Sequence, residues 1–255
     1  MLAFIIPVKS RQVAQSWNRL SILLERCLQS VCSQTDSSFR VIVVCHEKPE
    51  IQFEHPQIEY ISVDFPAPNP KDSSFGEVKG VGDTDKAQKI LTGIDYAKQY
   101  KPSHVMVVDA DDCVSKHLAA LVSQNCSCEG WYLKKGYVYE EGKKIVFLNT
   151  KNFNQSCGTS IIIRSDLSHL LFPSDSYYDH HQHLLTNDVV LQELPFVGAI
   201  YIIKNGENQF MTNNRTKQLQ KKENRLWYLA RKILKYRPLP LTKAIRHNFG
   251  LYQIN

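Results

Sequence analysis

Val105-Met106-Val107-Val108-Asp109-Ala110-Asp111-Asp112 is the stretch whose reading decides the fold. Four apolar residues in a row, three of them valine, read as a strand buried on both faces. The run stops on three carboxylates packed into four positions. Their mutual repulsion and desolvation would raise their pKa values unless a partner were present. A divalent cation between Asp109 and Asp111 is the simplest partner, because hard oxygen ligands suit magnesium or manganese. In an open α/β sheet the carboxyl end of a strand is also where ligands bind, so such a cation would carry a substrate's phosphates. The plainer alternative is a polar helix start, with Asp111 or Asp112 capping a helix that begins near Ser115.

Working outward from that strand, Leu2 to Val8 is a short buried strand with Pro7 near its end and Lys9-Ser10 beyond it. Apolar residues at Trp17, Leu20, Leu23, Leu24, Cys27, Leu28 and Val31 mark one face of an amphipathic helix. Phe39 to Val44 is a second strand, followed by Cys45-His46-Glu47, and Ile58 to Val63 is a third. The order β-α-β-β begins a nucleotide-binding α/β layer. Phe65 to Gly82 is rich in Pro and Gly and reads as a loop. Asp85 to Tyr100 returns to helix, with Lys86 and Lys89 one turn apart near its start. After a helix through Leu118, Leu121 and Val122, short antiparallel strands are expected at Trp131–Leu133, Tyr137–Tyr139 and Ile145–Leu148. Gly158 to Ile163 and Phe196 to Ile203 supply later strands, the second running into Asn205-Gly206-Glu207-Asn208.

The 255 residues, 43% hydrophobic and 22% charged, describe an ordinary globular protein. Nothing approaches the roughly 18 consecutive apolar residues that span a bilayer. Seven cysteines, odd in number and without a CxxC pair, point to a reducing cytoplasm. No GxGxxG follows the first strand, which argues against a dinucleotide-binding dehydrogenase, and there is no GxxxxGK[ST] phosphate loop. The net charge of +6 is unevenly spread, because residues 213–255 hold eleven Lys or Arg against one acid, Glu223. That balance suggests an anionic partner.

Taken together, the opening LAFIIPVKS, the helix-to-strand passage RCLQSVCSQTDSSFRVIVV and the DADD at 109–112 resemble the GT-A glycosyltransferases of the inverting family 2. The resemblance covers about the first 125 residues in good register and the next 85 more loosely. It implies an α/β GT-A fold: a Rossmann-like, mostly parallel central sheet flanked by helices, with a small antiparallel acceptor-side sheet. The expected division is a glycosyltransferase domain over 1–212 and a basic helical extension over 213–255. Within the domain, 1–125 would bind the nucleotide sugar and 126–212 would serve the acceptor and catalysis.

The resemblance also implies roles. Asp111 would be the main ligand of Mn2+ or Mg2+, and Asp109 would touch the ribose or the metal's water shell. Pro7 and Lys9 would lie along the nucleotide. Glu47 takes the place of the acidic residue that meets the base, although Cys45-His46-Glu47 departs from the family's acidic pair and leaves the base open. Lys86 and Lys89 are candidates for the phosphates, against a plain solvated helix face. The catalytic base falls to Asp179, with His180 as the rival, because inversion needs a group poised to take the acceptor hydroxyl's proton. His181 is a candidate third metal ligand, and a separate zinc site with His183 is the alternative. Gly158, Thr159 and Ser160 would line the acceptor side, and Trp131, Tyr132 and Tyr178 are candidates for sugar stacking, or else core.

In the tail, an apolar stripe through Leu219, Leu226, Leu229, Ile233 and Leu234 is flanked by Lys and Arg. It suits an anionic membrane surface contacted through 215–237, or packing on the domain. The expected activity is metal-dependent transfer from a nucleotide-diphosphate sugar, UDP-sugar favoured, to a carbohydrate or glycolipid hydroxyl with inversion, in the cytoplasm and without nucleic acid. The alternatives are a nucleotide-sugar or polyanion binding module without turnover, and a sugar-nucleotide pyrophosphorylase. The last should carry a Gly-rich loop after the first strand, which PVKSRQ lacks.

Overall fold

The computed structural model describes residues 1–72, 80–174, 176–179, 189–208 and 236–254. Its centre is a sheet of β1 (Leu2–Pro7), β2 (Phe39–Cys45), β3 (Ile58–Ser62), β4 (His104–Val107), β6 (Gly130–Tyr132), β9 (Ile161–Arg164) and β10 (Gln192–Glu193). The spatial order is β10-β6-β9-β4-β1-β2-β3. Strands β3, β2, β1 and β4 run parallel, whereas β9 is antiparallel to both β4 and β6. Helix α1 (Trp17–Cys32) connects β1 to β2 on one side, and α2 (Val81–Ala97) precedes β4 on the other. The chain order therefore reverses between β1 and β4, where the carboxyl ends open a crevice suited to ligands.

Alternation along the strands explains their uninterrupted apolar runs. Leu2, Phe4 and Ile6 pack with Val41 and Val43 against Leu20, Leu24 and Leu28 of α1. Ala3 and Ile5, with Ile42 and Val44, face Ala87, Ile90 and Ile94 of α2. With both faces covered, no position in β1 carries a polar side chain, as buried parallel strands require. Ser16 caps α1 by accepting from the Arg19 amide at 3.3 Å. Each buried leucine is worth about 1.5–3 kcal/mol against about 1 kcal/mol for a cap, so the apolar stripe holds this helix in place.

The second sheet comprises β5 (Cys113–Val114), β7 (Gly136–Glu140), β8 (Ile145–Asn149), β11 (Ala199–Ile203) and β12 (Arg237–Pro240). Its spatial order is β12-β8-β7-β11-β5. Three of its pairings are antiparallel, and β7 runs parallel to β11. The protein is thus mixed α/β, with a mainly parallel central sheet flanked by helices and a second small sheet. Among the described residues no helix is long and apolar enough to cross a membrane, and all seven cysteines are free.

Three local readings change. Trp131 and Tyr132 lie in β6 of the large sheet, whereas β7 and β8 form the expected hairpin in the small one. After Asp112 the chain enters β5, and α3 (Leu118–Gln124) starts only after His117. Gln34 caps that helix instead, its side-chain oxygen accepting from the Ala119 amide at 2.9 Å. Finally, the described end of the basic extension packs on the second sheet. Arg237–Pro240 is an edge strand antiparallel to β8, a place where prolines without an N–H are tolerated. Behind it α4 (Lys243–Phe249) buries Phe249 among Tyr139, Val146 and Ile202. The stretch 209–235, with the proposed membrane stripe, lies outside the described residues.

Candidate functional site

The carboxyl end of β4 places Asp109 and Asp111 half-buried and Asp112 fully buried. The three carboxylates do different things. Asp112 is a structural strut: its Oδ2 accepts from Thr159 Oγ1 at 2.7 Å and from Cys157 Sγ at 3.3 Å. Its Oδ1 accepts from the Ile202 amide at 3.1 Å, joining β4 to β11. Burial, then the charges of Asp111 and Asp109, push its pKa well up. Thr159 serves both neighbours, because its hydroxyl also accepts the Asp109 amide at 2.9 Å.

Asp111 Oδ2 accepts from the side-chain amides of Asn205 at 2.6 Å and Asn208 at 3.0 Å. Burial raises its pKa, the neighbouring Asp109 raises it further, and the Asn205 hydrogen bond pulls it back. Asp109 Oδ1 accepts from Lys86 Nζ at 2.5 Å. Burial lowers the Lys86 pKa, but the charge and hydrogen bond of Asp109, together with the charges of Asp83 and Asp111, raise it on balance, so the ammonium stays charged. The Lys86 and Asp109 side chains are 34% and 25% exposed. A pair this open is worth at most about 1 kcal/mol, so a competing anion or cation displaces it at little cost. Gly158 makes room for it, since a Cβ there would lie 2.6 Å from Asp109 Oδ2.

Lys9, just past β1, donates to the Glu207 carbonyl at 2.6 Å and to Glu207 Oε2 at 3.0 Å. Glu207 in turn accepts the backbone amides of Gln15 and Ser16 at the start of α1. Glu47 is exposed beside this loop, accepting the Arg11 amide at 3.3 Å. Pro7 is buried as the last residue of β1, in register with Val44. Tyr178 lies with its ring 6.0 Å from Lys86 Nζ. Burial, followed by the charges of Asp109 and Asp179, pushes the Tyr178 hydroxyl well up, so its hydroxyl feels both carboxylates. Asp179 itself is buried, with its amide donating to the Leu171 carbonyl at 2.8 Å.

The structure thus gathers Lys9, Lys86, Asp109, Asp111 and Gly158 at the carboxyl edge between β1 and β4, with the ring of Tyr178, the chain neighbour of Asp179, beside Lys86. Other expected members do not join. Lys89 is fully buried and its Nζ bonds Asp85 Oδ2 at 2.7 Å, so it has no ammonium to offer a phosphate. Thr159 and Ser160 are fully buried behind the carboxylates rather than lining an acceptor surface, and of the trio only Gly158 is half-exposed. Trp131 packs in the core against His104, ring centroids 5.2 Å apart. His180, His181 and His183 lie outside the described residues. The sequence reading gave no role to Asn205, Glu207 and Asn208. Their only signal is a short polar run with a glycine directly after a buried strand.

Among the described residues no three His, Cys, Asp or Glu side chains gather as a metal cluster. Asp109 and Asp111 nonetheless fit magnesium or manganese, which are held by one or two carboxylates, with waters and substrate phosphates completing the shell. Burial first and the neighbouring Asp109 charge second raise the Asp111 pKa, and a cation would offset the repulsion between the two carboxylates.

No family profile matches the sequence, and no curated protein matches it. Solved structures resemble it at low identity. S. aureus TarS 1-349 is 11% identical, with a TM-score of 0.42, over 79% of this chain and 60% of that one. The same protein in complex with UDP gives a TM-score of 0.41 at 11% identity, over the same 79% and 60%. The bifunctional IspDF from Campylobacter jejuni is 12% identical, with a TM-score of 0.40, over 85% of this chain and 53% of that one. This chain therefore spans little more than half the length of these structures.

Proposed function

We propose that this chain is a glycosyltransferase that takes a sugar from a nucleoside-diphosphate donor with the help of Mn2+ or Mg2+, and passes it to a carbohydrate or glycolipid hydroxyl with inversion. The observation that carries the reading is the pairing of Asp109 and Asp111 at the carboxyl end of β4 with two lysines beside them. Lys86 bonds Asp109 at 2.5 Å, and Lys9 stands at the end of the neighbouring strand. Two carboxylates and two ammonium groups around one crevice suit a diphosphate bound through a cation.

Asp109 and Asp111 would hold the metal, which supplies positive charge for the departing diphosphate. Lys86 releases Asp109 to meet a phosphate oxygen, and Lys9 neutralises charge from the β1 side, so charge that develops on the leaving group meets preorganised donors. Asp179 is the group that takes the acceptor hydroxyl's proton, and Tyr178 packs beside Lys86 as one wall of the crevice. UDP is the favoured nucleotide. The remaining shell of the donor site, including any share of His181, is part of the same proposal.

The test is calorimetric binding of UDP, GDP, CDP and dTDP, with and without Mn2+, to the wild type and to Asp111→Ala. Manganese-dependent binding of one diphosphate, lost in Asp111→Ala, is expected. With the nucleotide sugar of whichever diphosphate binds, binding without hydrolysis or transfer would favour a nucleotide-sugar binding module. Failure to bind any of the four would overturn the donor-site reading altogether.

A further inference from the structure

The loop Asn205-Gly206-Glu207-Asn208 follows β11 and is buried throughout its polar residues, at 2%, 3% and 8% exposure for Asn205, Glu207 and Asn208. Buried amides and carboxylates are costly unless every group is satisfied, and here they satisfy one another. Asn205 Oδ1 accepts the Glu207 amide at 2.9 Å, and Asn208 Oδ1 accepts the Asn205 amide at 3.2 Å. Both side-chain NH2 groups then face the same two acceptors. Asn205 donates to Asp111 Oδ2 at 2.6 Å and to the Ile202 carbonyl at 3.3 Å. Asn208 donates to the same atoms at 3.0 and 2.9 Å. A flipped amide would set an oxygen against a carboxylate and a carbonyl, so the network fixes both orientations.

The backbone is shaped for this purpose. Lys204 sits at φ 57° and Gly206 at φ 97°, left-handed conformations that turn the chain back on itself. Arg19 of α1 holds the outer side, donating from Nε to the Asn205 carbonyl at 3.0 Å. Through Glu207 the same four residues grip Lys9 and the amides of Gln15 and Ser16. One short loop therefore ties the β4 carboxylate to the segment between β1 and α1.

We propose that Asn205 and Asn208 are positioning residues for Asp111. Resting on the donor-site reading above, they load one carboxylate oxygen with two hydrogen bonds and fix the plane of the group, which leaves its other oxygen directed away from the loop. Partners of this kind around metal-binding carboxylates are typically worth about 10- to 100-fold in metal affinity.

The test is Mn2+ binding followed by electron paramagnetic resonance on the full chain, in the presence of UDP, GDP, CDP or dTDP. It compares wild type with Asn205→Leu and Asn208→Leu, which keep side-chain size and remove the donors. The expected result is a Mn2+ affinity about 10- to 100-fold weaker in each variant, measured well below its melting temperature and with an unchanged circular-dichroism spectrum. A merely structural role would lower the melting temperature and leave that affinity alone. Should the leucine variants not fold, Asn205→Ser and Asn208→Ser carry the same expectation. Folded variants that bind Mn2+ as the wild type does overturn the proposal and leave the donor-site reading standing. A wild type that binds no Mn2+ with any of the four diphosphates removes both.

Discussion

Replacing Gly158 by alanine separates site geometry from stability. The added Cβ would lie 2.6 Å from Asp109 Oδ2 and 3.3 Å from both Cγ and Oδ1. To reach an ordinary contact of 3.4 Å, the nearer oxygen must retreat from 2.6 Å by about 0.8 Å. The group that must move is the far end of a half-buried side chain, not backbone, so the stability cost lies near the low end for overpacking, about 1 kcal/mol. In a chain of this size that is a fall in melting temperature of about 2–4 °C. The site is less forgiving, because a misplacement approaching 1 Å costs on the order of 100-fold in reactions that depend on alignment. A loss of about 10- to 100-fold in manganese-dependent diphosphate affinity is expected, about 1.4–2.7 kcal/mol. Calorimetry and thermal melting on the same preparations give both numbers. Affinity within twofold of wild type would refute the placement of Asp109 at the ligand, whatever the melting temperature does.

Lys89→Met should act in the opposite sense. It leaves Asp85 buried without its ammonium, with His46 Nε2 3.8 Å away as the remaining ion-pair partner among the described residues, and breaking such a pair costs about 3–5 kcal/mol. Chemical denaturation should show that loss, with diphosphate affinity per folded molecule unchanged. Phe249→Ala tests whether the end of the chain belongs to the domain. The ring is 1% exposed and edge-on to Tyr137, centroids 5.7 Å apart, so a single cooperative transition shifted by about 3–5 kcal/mol is expected. Glu193 is bonded by Lys134 and Lys135, each at 2.9 Å, and those bonds hold its pKa below the usual glutamate value. A depressed carboxylate contributes stability above its unfolded pKa of about 4.3 and loses it as pH falls through the folded value. Glu193→Gln should therefore flatten the acid limb of a stability-against-pH curve below that value and lower stability slightly at neutral pH.

The central layer was legible in the sequence because its signals are local. The apolar runs at 2–8, 39–44 and 105–108 needed only their own composition to be read as doubly buried strands, and the stripe from Trp17 to Val31 only its period. That three carboxylates stand at the carboxyl end of such a strand was legible without any knowledge of what lay opposite. What each carboxylate does was not local. Asp112 is a strut because Thr159 and Ile202, 47 and 90 residues away in the chain, supply its donors. Lys86 and Lys89 share a helix and a charge, yet a few tens of degrees of rotation put one over Asp109 and the other into the core with Asp85. Thr159 and Ser160 looked like an acceptor surface and are the packing behind it. Asn205 and Asn208 acquire a role only when β11 lies beside β7 and β5, bringing its end under Asp111. Periodicity and composition decide what is buried. Which buried polar group meets which is decided by strand order, because hydrogen bonds need ångström-scale approach between segments that the sequence keeps far apart.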